Sequence, residues 1–128
     1  MMQAILVFLG GGLGAVARWV FGLAAARWLG TAWPWGTLGV NILGSFAMGL
    51  VMASLLRGGA MNAGAENWRL FLATGILGGF TTFSAFSLES ARMIETGQWG
   101  QAGLYGLTSV VVSIAALFAG MALGRLNG

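Results

Sequence analysis

Apolar residues fill this chain in four long stretches, roughly Gln3 to Ala26, Thr37 to Leu56, Arg69 to Ile94 and Ala102 to Leu123, separated by short joints. Each approaches the roughly 20 residues that a helix needs to cross a bilayer. The pattern predicts an all-α membrane protein, with four transmembrane helices in a single domain spanning residues 1–128. Short joints make sequential helices antiparallel neighbours. Trp33-Pro34-Trp35 precedes the second stretch, with proline near a helix start, and Trp28, Trp68 and Trp99 also fall at predicted ends, as interfacial aromatics do.

The third stretch departs from plain aliphatic helix. From Gly75 to Phe86 it reads Gly-Ile-Leu-Gly-Gly-Phe-Thr-Thr-Phe-Ser-Ala-Phe, with paired glycines, two threonines and a serine at membrane depth. Glycines weaken a helix and hydroxyls compete for its backbone partners, so a break is expected near Gly78 to Thr82. Unpaired backbone at that depth survives only inside protein or beside a water- or ion-filled site. The broken helix is therefore expected to form the centre of a polar site, with the other helices packed around it.

Other polar positions fall at helical spacing. Thr37, Asn41 and Ser45 lie at i, i+4 and i+8, and so do Tyr105, Ser109 and Ser113, a ladder about 12 Å long. Asn41 has two readings, glue between helices or a donor to an anion. Phe83 and Phe86 share a face once helix resumes, either as ordinary packing or as ring edges whose weak positive charge suits an anion. Arg18, near the end of the first stretch, either snorkels to the interface or meets a carbonyl or bound anion. Its neighbours Gly10, Gly11, Gly12 and Gly14 allow close helix approach. Glu89 is either an end-of-helix carboxylate near Arg92 or a proton site in a coupled carrier.

Composition narrows the chemistry. The 128 residues are 58% hydrophobic and 7% charged, with 23 glycines, one proline, and no cysteine or histidine. That removes disulfides, thiol nucleophiles and histidine acid-base chemistry, and with them most enzyme classes, so no enzyme is expected. The six arginines are scattered singly, unlike the clustered charge that nucleic acid requires. No basic leader precedes the apolar run from Ala4, and no cleaved signal peptide is expected.

The arginines also bear on orientation. Four spans place Arg57, Arg69 and Arg125 on one side and Arg27 and Arg92 on the other, and counting Arg18 with the second side evens the tally at three each. Positive charge normally holds loops on the cytoplasmic side, so a near tie predicts insertion both ways round, although one misplaced span would void the count. Mixed orientations lead to an antiparallel homodimer with its twofold axis in the membrane plane.

Taken together, Gly11 to Arg18 (Gly-Gly-Leu-Gly-Ala-Val-Ala-Arg), Gly36 to Phe46 (Gly-Thr-Leu-Gly-Val-Asn-Ile-Leu-Gly-Ser-Phe) and Gly78 to Phe86 (Gly-Gly-Phe-Thr-Thr-Phe-Ser-Ala-Phe) closely resemble the small bacterial fluoride channels, the Fluc family. The likeness covers nearly the whole chain. It implies a multi-pass protein of the bacterial cytoplasmic membrane, an antiparallel dual-topology dimer embedded in lipid, with two fluoride pores and a central structural sodium ion. By position, Asn41, Phe83 and Phe86 match the pore residues of that family, and Tyr105, Ser109 and Ser113 its polar track. The Gly78 and Thr81 carbonyls match the sodium ligands, and Arg18 takes a structural place. Ala85 departs from the Thr or Ser often found there, so one hydroxyl contact is missing. The alternative is a proton-coupled small dual-topology exporter, which needs an acid in its first helix, and this first helix has none.

Overall fold

A computed structural model describes residues 1–57 and 62–126, and every element in them is helical. The order is α1 (Met2–Leu29), α2 (Trp35–Leu55), α3 (Ala63–Trp68), a π-helical segment (Arg69–Leu77), α4 (Gly78–Phe80), α5 (Phe83–Glu95) and α6 (Trp99–Leu126). Helices α1, α2 and α6, with the composite third span Ala63–Glu95, are each long and apolar enough to cross a membrane. The architecture is the four-span α-helical one expected from the hydrophobic pattern. Ala63 to Trp68 extends the third span at its start, because Asn62 caps that turn by accepting from the Ala65 N–H at 2.7 Å.

Lipid supplies no hydrophobic drive between helices, so contact depends on how closely backbones approach. Two pairs use glycine for this. Gly10 and Gly14 of α1 lie against Phe71 and Ile76 of the third span, and a methyl group at either position would overlap a backbone carbonyl there. Gly49 of α2 and Gly120 of α6 do the same against Leu117 and Phe46. Glycine is needed for a different reason at Gly30, φ 84°, and Gly97, φ 80°, where the chain turns out of α1 and out of α5.

The break lies where the sequence places it, but not at the glycines. Gly78 and Gly79 remain helical, and Gly79 gives its missing side chain to contact with Gly11 and Ala15 of α1. The chain becomes extended one step later, at Thr81 (φ −84°, ψ 159°) and Thr82 (φ −153°, ψ 121°), before α5 begins. Just upstream, the π-helical turns let the Gly78 N–H donate to the Ala73 carbonyl five residues back. A small core of Leu38, Met93 and Tyr105, flanked by Trp33 and Phe86, closes one end of the bundle. Most other large apolar side chains, from Phe8 to Phe118, face outward as a lipid-exposed surface must.

Candidate functional site

The ends created by the break are held by side chains from two other helices. Arg18 of α1 reaches across 61 positions, its Nε donating to the Gly79 carbonyl at 3.0 Å. Asn41 of α2 pairs with both backbone groups of one residue: the Thr82 N–H donates to Oδ1 at 2.8 Å, and Nδ2 donates to the Thr82 carbonyl at 3.0 Å. Thr82 also caps α5 by accepting from the Ala85 N–H at 3.2 Å. Thr81 turns both its N–H and its hydroxyl back to the Leu77 carbonyl, at 3.0 and 2.9 Å.

These diversions change which carbonyls are free. In an unbroken helix Gly78 would accept from the Thr82 N–H and Thr81 from the Ala85 N–H. Asn41 and the Thr82 hydroxyl take those donors instead, so the Gly78 and Thr81 oxygens accept no hydrogen bond among the described residues. They are the two positions that the resemblance implies as cation ligands.

Beside the break lies a cavity of about 310 Å³. Asn41 and Ser45 line it from α2, Thr81 and Thr82 from the break, Phe83 and Phe86 from α5, and Ser109 and Ser113 from α6. The Ser109 and Ser113 hydroxyls are buried and have no hydrogen-bond partner among the described residues. A buried hydroxyl without a partner is costly, which marks this wall as built for something that accepts or donates there. Asn41 spends one of its two N–H bonds on Thr82 and keeps the second. The amino end of α5, with its unpaired amides and positive dipole end, opens on the same space. Phe83 and Phe86 lie with ring centroids 5.5 Å apart, and Phe83 is 78% exposed. Among the described residues, no ionised side chain lines this cavity.

The residues singled out from sequence divide between two places. Asn41, Thr81, Phe83, Phe86, Ser109 and Ser113 share the cavity, whereas Tyr105 does not. Tyr105 is fully buried, packed on Trp33 and Phe86, and its hydroxyl donates to Glu89 Oε1 at 3.2 Å. Glu89 therefore meets a tyrosine, and the Glu89–Arg92 pairing anticipated from spacing does not form; the ion pair among the described residues is Glu66–Arg69, at 2.6 Å. Arg18, Thr37 and Glu89 line a second cavity, of about 380 Å³, on the other side of the break, and Thr82 lines both. Sequence reasoning missed the Asn41–Thr82 and Glu89–Tyr105 pairings, because partners 41 and 16 positions apart carry no periodic signal.

The third span of this four-span helical protein is thus interrupted beside an uncharged, hydroxyl-lined cavity. Residues 5–121 match the family described as "CrcB-like protein, Camphor Resistance (CrcB)". The chain is 58% identical over 126 residues to the "Fluoride-specific ion channel FluC" of Phenylobacterium zucineum, covering 97% of both chains. It is 48% identical over 125 residues to the protein of the same name from Caulobacter vibrioides, covering 98% of this chain and 97% of that one. Against the Agrobacterium fabrum protein of that name, identity is 51% over 125 residues and coverage 98% of each. The chain belongs to this CrcB-like family, as its resemblance to the fluoride channels implied.

Proposed function

We propose that this protein is a passive, fluoride-selective anion channel of the bacterial cytoplasmic membrane, a transporter rather than an enzyme. The observation that carries the reading is the pair of buried hydroxyls of Ser109 and Ser113, unpartnered among the described residues, in a cavity that no described ionised side chain lines. Fluoride holds its water strongly, and removing that water without replacement costs roughly tens of kcal/mol on an ion-burial scale. Donors must therefore stand in for water. Ser109, Ser113, the second Asn41 N–H and the amino end of α5 supply them in series, while the edges of Phe83 and Phe86 add weak positive potential. Neutral donors bind an anion loosely enough to release it, as conduction requires. Tyr105 contributes indirectly, by holding Glu89 and by backing the Phe86 ring.

The same reading includes an antiparallel homodimer with two pores. Its support is the near-even arginine tally together with the exposed Gly78 backbone beside the break, whose carbonyl accepts no hydrogen bond among the described residues and which lipid cannot satisfy. The Gly78 and Thr81 carbonyls fit a hard monovalent cation such as sodium, since they are uncharged oxygen donors left without hydrogen bonds. A cation held there would add a fixed positive potential favourable to anions.

Fluoride release from liposomes carrying the purified protein tests the proposal. Release driven by voltage and independent of a proton gradient is expected. Strict proton coupling would point instead to the exporter reading, and vesicles that retain their fluoride would refute both.

A further inference from the structure

The serine-lined cavity stops short of the helix ends, and the same faces continue beyond it. On α2 the stripe bearing Asn41 and Ser45 runs on through Met48 and Met52, and on α6 the four-residue ladder of Ser109 and Ser113 runs on through Leu117 and Met121 to Arg125. Gly49 lies between Leu117 and Met121 and Gly124 on Leu50, so the two helices run in the same direction and Met48 stands within a turn of Leu117. Met48 and Leu117 line the end of the cavity. Past them a separate cavity of about 270 Å³ is walled by Met52 and Met121 and carries Arg57 and Arg125. Arg57 is fixed there, its Nη2 donating to the Gly124 carbonyl at 2.9 Å.

We infer that Met48 and Leu117 form an apolar collar between the serine ladder and a basic mouth made by Arg57 and Arg125, and that this collar limits the rate at which an anion passes. The inference rests on the anion-channel reading above. From Ser113 to Arg125 an anion travels about 18 Å at helical rise, and neither helix offers it a side-chain donor on this face over that distance. An apolar constriction of this kind gates by losing its water. The mouth needs its arginines for a separate reason. Two helix C-termini meet there, their partial negative charge repels anions, and the guanidinium groups offset it. Methionine suits the collar, because an unbranched thioether swings aside with little strain.

Met48→Gln and Leu117→Asn keep the width of the collar nearly constant while making it polar. In reconstituted vesicles read with a fluoride electrode, each is expected to raise release roughly fivefold. Wild-type vesicles that release no fluoride would refute the channel reading and the collar with it. Wild-type release that neither polar variant accelerates, in protein eluting as the wild type does on gel filtration, would overturn the collar alone. Should the polar variants not fold, Leu117→Phe is expected to slow release by a similar factor, and an unchanged rate there would overturn the collar equally.

Discussion

Two walls face each other across the serine-lined cavity, and they are built by opposite means. The α2–α6 wall is regular helix throughout, and its glycines bring two backbones so close that no side chain fits between them. The third span changes helical form and then breaks, and its ends are restored by Asn41 and Arg18 from elsewhere in the chain. One wall keeps its backbone in regular helix and offers side chains to the cavity, the Asn41 amide and the serine hydroxyls among them. The other leaves carbonyls and amides unpaired and offers those. Membranes tolerate irregular backbone only when it is enclosed, so the regular wall is what permits the irregular one.

The contrast can be broken most completely from the regular side. Gly120→Val would drive a branched side chain into the Phe46 carbonyl, and the expected result is loss of folded protein, seen as aggregation on gel filtration. Asn41→Ala comes next. It strands the Thr82 N–H and carbonyl, at about 1–3 kcal/mol each, and fluoride release from vesicles should fall by roughly two orders of magnitude. Phe83→Ile and Phe86→Ile leave the hydrogen bonds of the break in place, so the protein should elute normally while release falls about tenfold. Normal release in both would remove the aromatic rings from the mechanism. Ser113→Ala deletes one donor among several, and a slowing of roughly threefold, measured the same way, is expected. If Ser113→Ala proved more damaging than Asn41→Ala, the hydroxyl wall and not the break would dominate, and the comparison would be reversed.

Much of this organisation is legible before any coordinates. A 20-residue apolar period needs only hydropathy, and residues four apart share a face wherever helix persists, so the spans, the Asn41 stripe and the Ser109–Ser113 ladder follow from spacing. The break was legible as glycines and threonines out of place, and within the expected Gly78 to Thr82 it falls at the threonines. Gly79 serves contact with α1 more than flexibility, and threonine backbones do the unwinding. Tyr105 reads as a rung of the ladder, because periodicity cannot report that Glu89 has claimed its hydroxyl. Pairings such as Arg18 with Gly79 depend on which helices touch, and no local pattern records that.

Thr82 belongs to both cavities, the one with Ser109 and the one with Glu89. One residue thus stands between two chemically unlike compartments, and Asn41 holds both of its backbone groups. A charge arriving at the Glu89 side acts on the backbone dipoles of the same Thr82 that lines the serine cavity. The two chambers can sense each other electrically while no helix moves.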